Sequence, residues 1–167
     1  AFQGGQGGSN QVPDVAINDK PSGGDQYDGR EPGTLSNSDI FRKVSPSVVG
    51  IVAQMGDGFY GNSSQGSGII MSEDGYIITN AHVVAGARAV RVLLHNNRIL
   101  PASLVGFDAV EDLAVLKIEA EGLTPARFGD SNTLRIGEPV AALGDSLGYR
   151  ATFTDGIVSA LDREVEV

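Results

Sequence analysis

Short apolar stretches separated by polar turns run along the chain from Ser47 onwards. Each stretch is rich in Val, Ile and Leu and is bounded by Gly, Asn, Asp or Ser, a pattern that indicates strands. Helical periodicity is weak, apart from one short helix through Ile40 and Val44 that Ser36 or Asn37 can cap and Pro46 ends. We predict strands at Ser47–Met55, Ser67–Met71, Tyr76–Thr79, Ala89–Leu94, Arg98–Phe107, Leu113–Ile118, Pro139–Leu143 and Ala151–Ala160.

The first six of these strands follow one another closely, and the sequences between them suit tight reversals. Glu73-Asp74-Gly75 and His95-Asn96-Asn97 contain residues that turns prefer. Short antiparallel strands in close succession predict a barrel. The last strands do not complete a second barrel, and their open apolar edges favour aggregation unless further sequence or a partner chain pairs with them. The expected fold is all-β, with a first barrel complete and a second only begun.

Three regions differ in composition. Residues 1–35 are rich in Gly, Pro and Asp and cannot bury enough apolar area to become ordered, so we predict a flexible linker, either a spacer from an anchor or a plain tail. We assign residues 36–122 to the first barrel with its short N-terminal helix. Residues 123–167 are then a connector and the first strands of the second barrel, ending in a short extended piece, Arg163–Val167. The stretch Gly56–Gly66 is predicted to be a mobile loop.

Charge and composition exclude several functional classes. The formal net charge of −9 argues against nucleic acid as a partner, because binding a phosphate backbone needs a basic face. The chain has no Cys, which excludes disulfides, a catalytic Cys and a thiolate metal site. No apolar run approaches the roughly 20 residues that span a bilayer, and the N-terminus does not read as a signal peptide. Nothing in the sequence indicates a metal or another cofactor.

His82 and Asp112 are the candidate catalytic residues. We predict that a strand presents the His82 imidazole at its end, where a general base would be held rigidly and stay accessible. Asp112 opens the apolar strand Leu113–Ile118. A carboxylate in that position is costly unless it is hydrogen-bonded or paired, and orienting a catalytic imidazole would satisfy it. Asp108 and Glu111 are rivals, but both lie in the preceding loop, where solvated acids are ordinary.

The remaining candidates have plainer interpretations. Ser146, in Gly144–Gly148 (GDSLG), matches a nucleophile elbow, but that arrangement needs a His after the Ser, and both histidines precede it. His95 belongs to a turn, and two scattered histidines do not make a zinc site. Ser67 lies between two glycines and is interpreted as a small residue. Thr79 is a candidate hydroxyl to support the His–Asp pair.

Six segments together resemble the HtrA/Deg family of trypsin-like serine proteases. They occur in the family's order over most of the chain after Val44: Ser45–Ile51 (SPSVVGI), Gly66–Ile70 (GSGII), Thr79–Val84 (TNAHVV), Asp112–Ile118 (DLAVLKI), Arg135–Val140 (RIGEPV) and Thr154–Ala160 (TDGIVSA). Each is weak alone, and their order makes the resemblance specific. One departure is the Asp145-Ser146 pair, where relatives usually have Asn-Pro.

The resemblance implies a trypsin-like double β-barrel in which His82 is the general base and Asp112 its orienting carboxylate. Their spacing in sequence, 112 − 82 = 30, also suits the family. The family's nucleophile lies in a Gly-Asn-Ser-Gly-Gly motif that this chain does not contain. The chain is therefore expected to be the N-terminal part of a serine endopeptidase, inactive alone, with the nucleophilic Ser beyond Val167.

The same resemblance implies the surroundings of such an enzyme. Its substrates would be unfolded or misfolded polypeptides, and its partners the remaining C-terminal part of the protease with a PDZ domain, and further copies in a homotrimer. It would act in protein quality control outside the cytoplasm, in the cell envelope or secreted, with a membrane anchor before Ala1 as one arrangement. The alternative is a protease-like scaffold or peptide-binding module that binds chains without cutting them.

Overall fold

The computed structural model describes residues 35–56, 63–145 and 152–161. Two helices and eight strands form within these ranges, with 3₁₀ turns at Ser45–Ser47 and Ser131–Thr133. In chain order they are α1 (Asn37–Val44), β1 (Val48–Gln54), β2 (Ser63–Ile70), β3 (Tyr76–Thr79), α2 (Ala81–Val84), β4 (Ala89–Leu93), β5 (Ile99–Asp108), β6 (Leu113–Ile118), β7 (Pro139–Gly144) and β8 (Thr152–Ile157). The predicted linker, apart from residue 35, and the extended piece Arg163–Val167 lie outside the described residues.

Strands β1 to β6 form a closed antiparallel barrel, as the sequence predicts. The strand order around the barrel is β1-β2-β3-β6-β5-β4. Neighbours in sequence account for four of the pairings, and the barrel closes through β1 with β4 and β3 with β6. In the second of these, Thr79 at the end of β3 pairs with Ala114 near the start of β6. The ends of β3 and β6 that carry the candidate residues are therefore neighbours.

The barrel interior is filled by aliphatic side chains and closed over by α2. The buried residues are Val49, Ile51, Ala53, Ile70, Ile77, Ala81, Val83, Val84, Val92, Leu94, Ala114, Leu116 and Ile118. Every second residue of β6 belongs to this set, which is the alternation expected of a strand with one buried face. A Cβ placed on Gly66 would lie 2.7 Å from a methyl carbon of Val83, so α2 packs directly on the backbone of β2.

The turns before and after these strands use residues suited to their backbone. Ser36 caps α1 in a reciprocal arrangement with Asp39, which confirms the predicted start of that helix. Asn97 has a φ of 68° in the β4–β5 turn, a conformation that Asn tolerates better than most residues. Gly75 has a φ of 106°, and a Cβ there would collide with the Ile118 carbonyl oxygen. The turn before β3 therefore requires glycine.

Strands β7 and β8 pair with each other as a separate antiparallel sheet. They are the two strands predicted to begin a second barrel. The sheet touches the rest of the domain where the Asp145 backbone N–H donates to the Ser67 hydroxyl at 2.8 Å, and where the rings of Phe153 and Phe41 meet edge to face. Val140 and Ile157 are exposed on this sheet.

Two predicted boundaries are wrong by more than one residue. Strand β2 begins at Ser63, not Ser67, so the last part of the predicted loop Gly56–Gly66 is strand, while residues 57–62 lie outside the described part of the chain. Residues 63–66 are not apolar, yet they pair with residues 51–54 of β1, because ladder hydrogen bonds need only the backbone. Strand β8 ends at Ile157, three residues before the predicted end at Ala160.

Candidate active site

His82 lies on helix α2. The prediction that a strand presents it at its end is therefore wrong. Strand β3 ends at Thr79, Asn80 is extended, and α2 begins at Ala81. The helix forms because it buries Val83 and Val84 over the barrel while His82, between them and Ala81, stays exposed. A four-residue helix is too short for sequence periodicity to reveal it.

Asp112 occupies a turn directly before β6. Its φ of 51° lies in the left-handed region, which is uncommon for residues with a side chain and less so for Asp. The Asp112 carbonyl oxygen accepts hydrogen bonds from the Ala81 backbone N–H at 3.1 Å and from the Asn80 side-chain amide at 3.2 Å. These bonds tie the turn before β6 to the first turn of α2.

The Asp112 carboxylate binds His82 through both of its oxygens. Oδ2 lies 2.7 Å from His82 Nδ1, and Oδ1 accepts the His82 backbone N–H at 2.9 Å. Asn80 adds a third hydrogen bond, from its Nδ2 to Asp112 Oδ2 at 3.0 Å. His82 is thus held by Asp112 at both its ring and its backbone N–H.

Hydrogen bonding keeps Asp112 ionised. The pKa of the Asp112 carboxyl is lowered from its ordinary value, first by the His82 backbone N–H, next by the His82 ring and, with smaller weight, by the Asn80 amide. A carboxylate that accepts several hydrogen bonds prefers its charged form. The site therefore presents a negative charge to Nδ1 throughout the neutral pH range.

This arrangement selects one tautomer of His82. A carboxylate only accepts hydrogen bonds, so neutral His82 must carry its proton on Nδ1, which leaves Nε2 as a proton acceptor. The His82 side chain is 71% exposed, and within the described ranges its ring forms only the bond through Nδ1. An oriented imidazole with a free Nε2 can act as a general base.

The rival acid Asp108 and the candidate hydroxyl of Thr79 are engaged elsewhere. Asp108 Oδ1 accepts the backbone N–H groups of Val110 and Glu111, so Asp108 caps the turn after β5. The Thr79 hydroxyl donates to the Ser67 carbonyl oxygen at 2.8 Å and not to the His–Asp pair, so that interpretation is wrong. The residue that contacts the pair is the next one, Asn80, which the sequence analysis did not select.

Other singled-out residues lie apart from this pair. The Ser67 hydroxyl accepts the Asp145 backbone N–H, a structural contact. His95 is exposed in the β4–β5 turn, and Ser146 lies outside the described residues. In the parts of the chain that the structure describes, no cluster of His, Asp or Glu could hold a metal ion, and no helix is long and apolar enough to cross a membrane.

A cleft of about 260 Å³ lies beside the pair. Its lining is largely apolar and includes Asn80, which donates a hydrogen bond to Asp112, and Leu113, which follows Asp112 in the sequence. Leu143 of β7 also lines the cleft. The pair thus lies next to the space between the barrel and the β7–β8 sheet.

Comparisons with known proteins identify the family. The family model described as "Trypsin-like peptidase domain" matches residues 66–166. The Halomonas elongata protein named "Probable periplasmic serine endoprotease DegP-like" is 44% identical over 129 residues, covering 75% of this chain and 27% of its own length. "Serine protease Do-like HtrA" of Bacillus subtilis is 43% identical over 149 residues, covering 78% of this chain and 33% of its own.

A solved structure agrees with the sequence relatives. The serine endoprotease from Yersinia pestis superposes with a TM-score of 0.67 at 38% identity, and the match covers 77% of this chain and 46% of that one. The chain thus spans about a quarter to a third of the length of these two curated relatives. The barrel has the all-β, trypsin-like fold, and the chain belongs to the HtrA/Deg family of trypsin-like serine proteases.

Proposed function

We propose that this chain supplies the general base and the orienting acid of a serine endopeptidase, with His82 and Asp112 in those roles. The observation that carries the proposal is the 2.7 Å hydrogen bond between His82 Nδ1 and Asp112 Oδ2. It fixes the tautomer in which Nε2 can remove a proton from a hydroxyl nucleophile. The names of the relatives, which describe serine proteases, support the same role.

The chemistry follows from the pair. His82 Nε2 takes the proton of a serine hydroxyl as that oxygen attacks a peptide carbonyl, and it later gives the proton to the leaving amine. Asp112 stays ionised and stabilises the imidazolium that forms between these steps. No step requires a metal or another cofactor.

The nucleophile is proposed to come from residues outside this chain. The Ser67 hydroxyl accepts the Asp145 backbone N–H and, among the described residues, forms no hydrogen bond with His82, and the sequence contains no Gly-Asn-Ser-Gly-Gly motif. The relatives are about three to four times as long as the part they share with this chain. Residues 36–122 would then provide the base and acid, residues 123–167 would begin the second barrel, and the chain alone would be inactive.

The proposed substrates are unfolded or misfolded polypeptides, in protein quality control outside the cytoplasm. The location is supported by the word "periplasmic" in the names of several relatives. A linker at residues 1–35 rests on their Gly-, Pro- and Asp-rich composition, whereas a membrane anchor before Ala1, a PDZ domain and a homotrimer rest on the family resemblance. A protease-like scaffold without catalysis is the competing function.

Labelling with a fluorophosphonate, which reacts with an activated serine, tests the proposal. The probe is applied to the longer protein that contains this chain and to two variants, His82→Ala and His95→Ala. His95 is the matched control because it is an exposed histidine in a turn of the same barrel. We expect labelling of the wild-type protein and of His95→Ala, and a loss of labelling in His82→Ala.

Three results would overturn the proposal, the first being labelling of His82→Ala at the wild-type level. A well-folded protein that takes up no label would favour the non-catalytic scaffold. Labelling of the 167-residue chain at Ser146 would instead support an esterase-like site with a different nucleophile. Mass spectrometry of the labelled peptide distinguishes Ser146 from a downstream serine.

A further inference from the structure

We propose that Asn80 is a positioning residue for the catalytic pair, acting through Asp112. Its side-chain amide donates both to Asp112 Oδ2 at 3.0 Å and to the Asp112 carbonyl oxygen at 3.2 Å. Asn80 thus holds the side chain and the backbone of the same acid. This inference rests on the proposed function, since a positioning role has meaning only if His82 and Asp112 are catalytic.

Asn80 directly precedes α2, but its side chain does not cap that helix. Asn80 is the N-cap residue of α2, where an Asn side chain ordinarily accepts a backbone N–H of the first turn. No such bond forms here. The free N–H of His82 is instead satisfied by Asp112 Oδ1. Asp112 therefore caps the helix, and the Asn80 amide is left to act as a donor to Asp112.

These hydrogen bonds together fix the orientation of the Asp112 carboxylate. Oδ1 is held by the His82 backbone N–H, and Oδ2 is shared between the His82 ring and Asn80. Without Asn80, Oδ2 would keep only the ring as a partner in this set, and the exposed carboxylate could rotate or bind water. Asn80 also supports the left-handed Asp112 turn through the carbonyl oxygen, which limits backbone movement at the base of the pair.

The test is the NMR signal of the His82 Nδ1 proton in the full 167-residue chain, with Asn80→Ser as the main variant. Ser caps helices about as well as Asn, but its hydroxyl is too short to reproduce the amide bridge. If Asn80 acts through Asp112, exchange of the Nδ1 proton with water becomes at least about tenfold faster, the change that corresponds to the loss of one hydrogen bond to a charged group. Asn80→Asp, which places a second carboxylate beside Asp112, should accelerate exchange further.

Asn132→Ser is the matched control. Asn132 is an exposed residue whose amide also donates to an aspartate, Asp130 Oδ1, at 2.9 Å, in a 3₁₀ turn that is not part of the pair. We expect the His82 signal of this variant to match the wild type. Backbone amide spectra establish that each chain is folded, and Asn80→Asp serves if Asn80→Ser does not fold.

The outcomes separate this inference from the proposed function. Wild-type exchange in Asn80→Ser would overturn the positioning role, and it would mean that Asn80 serves only the local helix. If that occurs while His82→Ala still abolishes fluorophosphonate labelling of the longer protein, the proposed function stands. Faster exchange in Asn80→Ser together with unchanged labelling of His82→Ala would overturn both the catalytic role of the pair and a positioning role in catalysis.

Discussion

Gly66 controls how closely α2, and with it His82, approaches the barrel. A Cβ on Gly66 would lie 2.7 and 2.9 Å from the two γ-methyl carbons of Val83. Carbon atoms pack comfortably at about 3.5 Å, so Gly66→Ala requires a shift of roughly 3.5 − 2.7 = 0.8 Å at the nearer methyl. Val83 is only 4% exposed and has little free space into which to turn. We expect α2 to move outward.

The expected cost of Gly66→Ala is about 1–3 kcal/mol in the free energy of unfolding, the range for overpacking a filled core. Urea denaturation followed by circular dichroism measures it. Gly106→Ala is the matched control, because Gly106 also lies in a barrel strand but nothing is within 4 Å of its added Cβ. That variant should be neutral or slightly more stable, since Ala lowers the entropy of the unfolded chain.

A double variant separates the clash from other effects of alanine. Adding Val83→Ala to Gly66→Ala removes the methyl groups that collide, so the two substitutions together should cost less than the sum of their separate effects. The displacement also predicts a loss of function in the longer protein, because catalysis can fall about 100-fold for a 1 Å misplacement. Wild-type stability of Gly66→Ala, or simple additivity with Val83→Ala, would refute the packing argument.

Three further substitutions test separate contacts of the domain. Thr79→Val removes the hydroxyl that donates a hydrogen bond to the Ser67 carbonyl oxygen. Because this group is buried, urea denaturation should show a loss of about 1–3 kcal/mol in the free energy of unfolding. No change would mean that water replaces the lost hydrogen bond. Ser36→Ala removes the cap of α1 and should lower helix stability by about 1 kcal/mol, measured by amide hydrogen exchange against an unaltered barrel. The lowered pKa of Asp112 means that its ionised form stabilises the fold above the ordinary carboxyl pKa, and that this contribution disappears as the pH falls through the lower value in the folded state. Asp112→Asn should therefore flatten the acid limb of a stability–pH curve, and an unchanged limb would show that the His82 contact contributes nothing there.

The barrel could be predicted from sequence because its strands are marked locally. Alternation in β6 and the turn residues around Gly75 and Asn97 identify strand and reversal without knowledge of distant partners. The pairing of β1 with β4, and of β3 with β6, depends on contacts between residues far apart in sequence. Local patterns do not contain that information, so the strand order had to come from the structure.

The candidate site was only partly predictable for the same reason. His82 and Asp112 could be selected because each residue type suits its role beside an apolar strand. Asn80 could not, because its significance lies in an amide that reaches a residue 32 positions away. The helix that contains His82 could not be predicted either, since four residues are too few to show a helical hydrophobic period. The one local signal for the start of this helix was the residue type of Asn80, because Asn is favoured at the position that directly precedes a helix.

The rate at which the longer protein cleaves a permanently unfolded polypeptide, compared between Asp112→Asn and Asp108→Asn, tests the central claim most directly. Asp112 binds the His82 ring, whereas Asp108 caps a nearby turn in which Asn serves equally well. We predict that Asp112→Asn lowers turnover by about 10⁴-fold, the loss seen when the orienting acid of such a triad is replaced, and that Asp108→Asn stays close to the wild type. Near-wild-type turnover in Asp112→Asn would contradict the assignment of this pair as base and orienting acid.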